Sequence, residues 1–134
     1  SLAAYDWAVA GCGAVPALTT PLSDYLYIIA VANDESANNA IYVRKDGPIL
    51  GAKGTNPSYP NVYGSAVTVQ KADILYPKST SAHYLLATWL RILGLSEKDV
   101  KPQGMEPTPA LSAFTGGVRD AGAPWAPLTY EAEA

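Results

Sequence analysis

The sequence predicts an α/β fold of three layers, a mostly parallel sheet flanked by helices. Short apolar runs rich in β-branched and aromatic residues alternate with segments of helical periodicity. Turns of glycine or small hydroxylated residues stand where such runs give way to helices. The 134 residues, 49% hydrophobic and 16% charged, suffice to bury one core of ordinary size.

From the N-terminus, "YDWAVAG" reads as a strand stopped by Gly11-Cys12-Gly13, with a short helix in "VPALTT" before Pro21. "YLYIIAVAN" is continuously apolar, the pattern of a strand covered on both faces. "AIYVRKD" follows as another strand after the polar turn "NDESANN". Residues 47–64 carry glycine, proline and asparagine too closely for a helix or a long strand, so they read as an inserted surface loop. "SAVTVQKA" leaves that loop as a helical turn, and "DILYP" supplies the next strand.

The strongest helical signal follows. Leu85, Leu86, Trp89, Leu90 and Leu93 recur at helical spacing, and Gly94 stands where a left-handed cap is needed. "VKPQGM" predicts a strand that Pro102 confines to its first residues or to a sheet edge. In "EPTPALSAFTGG", Thr108 is the expected N-cap, Pro109 the first turn and Gly116-Gly117 the stop. "DAGAPW" is the expected last strand.

Composition removes several function classes. A net charge of −3 gives no basic field for nucleic acid or anionic lipid. No apolar run approaches the roughly 20 residues of a membrane span, and the N-terminal stretch lacks the pattern of a signal segment. Cys12, the single cysteine, permits no internal disulfide and no cysteine-based zinc cluster. There is no Walker pattern, and Gly-Cys-Gly is too short for a dinucleotide fingerprint, so neither a cofactor nor a metal is expected.

In sheets of this kind ligands sit beyond the carboxyl ends of the strands. There the chain enters its main helix through Ser79, Thr80 and Ser81, whose hydroxyls and unpaired backbone amides suit a sulfonate, carboxylate or phosphate oxygen. Simple helix capping explains the same residues. His83 sits in the first turn, within reach of the cleft or as a structural residue. Gly13 and Ala14 mark a second strand-to-helix turn, which equally reads as a plain tight turn. Trp125, held among prolines, can cover the apolar part of a ligand or fill the core. Asn38 and Asn39 offer amides but also suit a turn, and Asp120 opens the last strand at the end away from the cleft.

"KSTSAHYLLATWLRILGLSEKDV" followed by "AFTGGVRDAGAPWAP" resembles the solute-binding proteins of bacterial ABC importers for nitrate, taurine, alkanesulfonates and thiamine precursors. Phe114, Gly117, Asp120, Trp125 and Pro127 keep that family's order and spacing. "AGCGAVPAL" is similar to its turn and helix in the first lobe, and "IYVRKDGPI" to its crossing strand. The resemblance implies an incomplete type II periplasmic-binding fold, with residues 1–39 a strip of the first lobe and 40–134 the second lobe, interrupted by the loop 47–64. It implies a small anionic solute held between helix N-termini, with Gly13 and Ala14 on one lobe and Ser79, Thr80, Ser81, His83 and Trp125 on the other.

The implied role is solute capture for ABC permease subunits, in the periplasm or as a lipid-anchored protein at the cell surface, without bond chemistry. The shortness of the chain adds the expectation of a homodimer or swapped assembly. Two alternatives stand beside this: an enzyme, either through a Cys12–His83 pair or like thiamine-pyrimidine synthases, and a sensory or interaction domain of the same fold.

Overall fold

The computed structural model describes residues 9–19, 27–32, 34 and 36–133. At its centre is a four-stranded sheet in the order β1-β4-β2-β3, formed by β1 (Tyr42–Val43), β2 (Asp73–Tyr76), β3 (Lys101–Gly104) and β4 (Ala121–Gly122). β2 pairs in parallel with both β3 and β4, while β1 runs antiparallel to β4. That last pairing extends well beyond the two-residue strands. Arg44 N–H donates to the Asp120 carbonyl, Ala40 N–H to Pro124, and Ala126 N–H to Asn38, so residues 38–44 run alongside 120–126.

Among the described residues, helices surround or follow the sheet's connections: α1 (Ala14–Thr19), α2 (Ala66–Val69), α3 (Ser81–Ile92), α4 (Pro107–Thr115) and α5 (Leu128–Glu133) are α-helical and Pro48–Gly51 is 3-10. A further 3-10 turn occupies Glu97–Asp99. Alternation along β2 assigns the two main helices to opposite faces. Ile74 and Tyr76 share one buried cluster with Ala82, Leu86, Trp89 and Leu90 of α3. Leu75 points the other way, where buried Leu111 and the Phe114 ring of α4 lie against the sheet at Gly122. Helix, sheet and helix make the three layers expected.

α3 begins at the N-cap Thr80 and ends before Gly94, whose φ of +76° is the left-handed conformation foreseen for it. Leu86 and Leu90 are fully buried, each contributing about 1.5–3 kcal/mol by leaving water. β3 is an edge strand, as Pro102 requires: a residue without an N–H is tolerated where no neighbour needs one.

Three expectations need correction. Residues 27–32 form no strand, and Tyr27, Ile28, Ile29 and Val31 are exposed; an apolar run becomes a covered strand only beside neighbours, and none lies next to it among the described residues. α4 starts two residues earlier than read, with Glu106 as N-cap and Pro107 in the first turn. Proline at the first helical position outweighed the threonine cap because its fixed φ already suits a helix. The loop 47–64 is also better ordered than a plain surface loop. It holds the 3-10 turn with buried Ile49 and a bridge between Lys53 and Tyr63. Trp89 Nε1–H donates to the Tyr63 carbonyl at 2.9 Å and Asn56 Nδ2 to the Ile92 carbonyl at 2.9 Å, which fastens the loop to the C-terminal half of α3. The strand read in "YDWAVAG" falls largely outside the described residues.

Candidate functional site

The carboxyl ends of β2, β3 and β4 converge on the tip of α3. β2 stops at Tyr76, and the four residues 77–80 turn the chain into the helix. Thr80 Oγ1 donates to the Pro77 carbonyl at 2.7 Å and accepts the His83 N–H at 3.4 Å, closing the turn and capping the helix together. Ser79, exposed between them, has a φ of +57°, a conformation costly for a residue with a Cβ. Thr80 and Ser81 are half-buried. By helix geometry the amide of Ala82 has no carbonyl within α3 to bond.

His83 is drawn into this turn. Its Nδ1 accepts the Ser79 N–H at 3.2 Å, its Nε2 lies 2.7 Å from Glu97 Oε1, and its ring packs 4.7 Å from that of Tyr76 at a tilt of 47°. A backbone N–H can only donate, so Nδ1 carries the lone pair and the ring proton sits on Nε2, facing the carboxylate. The Tyr76 hydroxyl is held above the usual tyrosine range, first by burial and then by the Glu97 charge. Glu97 is itself placed by the turn around it, where Asp99 accepts both the N–H and the Oγ–H of Ser96 at 2.8 Å. Those two bonds, the backbone one foremost, hold the Asp99 carboxyl below its ordinary value.

The other named residues fall in three places. Trp125 is half-buried against the same apolar cluster as α3, and its backbone bridges Asn39, so Asn38, Asn39 and Trp125 meet at the end of β4. Gly13 and Ala14 begin α1, which neighbours α3. Asp120 sits at the opposite end of the sheet, its Oδ2 accepting the Asp73 N–H at 2.8 Å. Cys12 is exposed and free, while both ring nitrogens of His83 are engaged by Ser79 and Glu97, so the ring has no nitrogen in hand for a thiol.

Sequence reasoning passed over Lys78, whose aliphatic stem lies across Gly104 at the end of β3 and so brings a cation to the strand ends. The signal was available as a glycine closing an otherwise ordinary strand. Glu97 had no such signal, because only the fold brings the turn at 96–99 beneath the tip of α3.

Two cavities stand out among the described residues. The larger, about 140 Å³, lies at the far end of the sheet among Arg44, Lys71 and Asp120. The smaller is an apolar pocket beneath α4, lined by Pro77, Leu111, Phe114 and Pro124. Neither is lined by residues 79–83 at the tip of α3. Among the described residues no three His, Cys, Asp or Glu side chains gather as a metal site, and no helix is long and apolar enough to cross a membrane.

No protein-family model matches the chain. A protein of Brachyspira hyodysenteriae named as the periplasmic binding protein of an ABC transporter is 31% identical over 108 residues, covering 81% of this chain and 31% of its own length. The periplasmic aliphatic sulphonate binding protein SsuA of Escherichia coli superimposes with a TM-score of 0.59 at 26% identity, over 75% of this chain and 30% of that one. A sulfonate-binding protein of Methylobacillus flagellatus shares the fold, with a TM-score of 0.54 at 16% identity over 72% of this chain and 25% of that one. The chain thus spans less than a third of the length of the relatives it matches. Over that span, in sequence and in fold, it is similar to part of the periplasmic solute-binding proteins of ABC transporters.

Proposed function

We propose that this chain forms one wall of an extracytoplasmic solute site, where the tip of α3 receives the anionic end of a small solute destined for an ABC importer. The observation that carries this reading is the likeness to a sulphonate-binding protein over three quarters of the chain, at 26% identity and a TM-score of 0.59. The chemistry of the tip agrees with it. Ser79 and Ser81 carry small hydroxyls at the positive end of a helix of 12 residues, the Thr80 hydroxyl being spent on the Pro77 carbonyl, and Lys78 adds a cation beside them. A sulfonate is the favoured head group, with nitrate, carboxylates and thiamine precursors as competitors.

In this reading Trp125 covers the apolar part of the solute, with Asn38 and Asn39 beside it, and Gly13 and Ala14 belong to the facing wall. Residues 1–39 act as a strip of that wall and 40–134 as the lobe that carries the tip. Asp120, at the other end of the sheet, takes no part in binding. A second copy of the chain, or further sequence such as the longer relatives carry, would complete the enclosure and present it to permease subunits. The site works in the periplasm or on a lipid anchor at the cell surface, and it binds without turnover.

A thermal-shift series with ethanesulfonate, taurine, nitrate and acetate tests the reading. A ligand at a hundred times its dissociation constant stabilises by about 2.7 kcal/mol, well within detection. Stabilisation by a sulfonate that Ser79→Ala and Lys78→Ala both weaken is the expected result. Equal response of wild type and both variants, or none to any of the anions, would remove it.

A further inference from the structure

We infer that His83 is a proton-operated positioning residue: its neutral imidazole holds Ser79 through Nδ1, and protonation of that nitrogen releases the Ser79 amide at the tip of α3. The inference starts from the two contacts of one ring. Nε2 faces the Glu97 carboxylate at 2.7 Å, a contact to which a protonated Nε2 donates whether the ring is neutral or charged. Nδ1 accepts the Ser79 N–H at 3.2 Å, which only the neutral ring can do. Once Nδ1 carries a proton, two donors confront each other and one must turn away.

The turn is built to give way on the Ser79 side. Glu97 keeps its hold on Nε2 in either state, so the ring is anchored there, while Ser79 is exposed and sits at a φ of +57°. A conformation that unfavourable for serine persists only while its surroundings hold it, and the imidazole lone pair is one of the contacts that does. The groups facing the ring are few. Tyr76 packs on it from β2, Glu97 bonds it from the turn at 96–99, and the first turn of α3 holds no acidic residue. Lys78, in the same connection, lies over Gly104.

Release presents one more amide at a helix tip beside a newly charged ring, and both changes favour an anion. Solute capture should therefore strengthen as the ring takes up its proton. That consequence rests on the proposed function; the switch itself requires no solute.

Because the chain has one histidine, nuclear magnetic resonance follows the event without ambiguity. In the solute-free 134-residue chain, the Nε2–H tautomer should dominate above the imidazole midpoint, and the Ser79 amide should titrate with that same midpoint. In Glu97→Gln the two midpoints should still coincide. A Ser79 amide that stays flat while the ring titrates, or a dominant Nδ1–H tautomer, overturns the inference. Should the amide titrate while ethanesulfonate affinity stays constant with pH, the switch stands and the solute reading is what fails.

Discussion

The stem of Lys78 lies directly over Gly104: a Cβ built on that glycine would fall 2.5 Å from Lys78 Cε and 2.9 Å from both Cδ and Cγ. Two strand ends are thereby joined by one flexible side chain. Gly104→Ala leaves the backbone undisturbed and forces the lysine aside instead. The fold should tolerate this, with unfolding free energy changing by less than about 1 kcal/mol. The ammonium group, however, leaves its station. Denaturant titration alongside ethanesulfonate binding should show near-normal stability with weakened binding; a loss of stability without a loss of affinity would contradict the placement of Lys78.

Gly64 and Gly94 make a controlled pair. Both have left-handed φ, +101° and +76°, but a Cβ on Gly64 would meet Leu93, Val69 and Trp89 at 3.1–3.2 Å, whereas Gly94 has open space around it. Gly94→Ala should cost about 1 kcal/mol, the conformational penalty alone. Gly64→Ala adds overpacking where the loop 47–64 meets α3, raising the cost to about 2–4 kcal/mol. Equal losses in urea denaturation would show that the loop is not packed against α3 as described.

What could be read in the residues, and what could not, follows from the range of the forces involved. α3, its glycine cap, the edge position of β3 and the turn at Ser65 are set by neighbours a few residues away, so spacing and composition disclosed them. The tip of α3 was found for the same reason. The apolar run at 27–32 misled because burial on two faces depends on what lies alongside, which no local pattern encodes. The pairing of His83 with Glu97 escaped notice likewise: 14 positions separate them, and only the return of the chain after Gly94 sets them 2.7 Å apart.

Tyr76 provides a test at alkaline pH. Burial and the Glu97 charge raise its folded-state value above the ordinary 10.0, so the folded protein holds the phenolic proton more tightly than the unfolded chain. As pH rises past 10.0 the unfolded state ionises first, and stability declines until the folded-state value is passed. Tyr76→Phe has no such proton. Its unfolding free energy should fall less steeply than that of wild type above this point; parallel curves would mean that Tyr76 ionises alike in both states.

Asp120 separates architecture from binding. Its carboxylate accepts the Asp73 N–H at 2.8 Å while its own N–H donates to the Asp73 carbonyl at 3.1 Å, joining β2 and β4 at their amino ends. Trp125 lies five residues further along, roughly 16 Å away in extended chain. Asp120→Ala should lower stability by about 1 kcal/mol through the lost hydrogen bond, which water partly replaces at this exposed position. Asp120→Asn retains an acceptor oxygen and should recover most of that loss. Neither change should alter the affinity for a sulfonate, since the tip of α3 is at the other end of the sheet. A variant as stable as wild type but weaker in binding would move Asp120 into the solute site and overturn its reading as a strand-joining carboxylate.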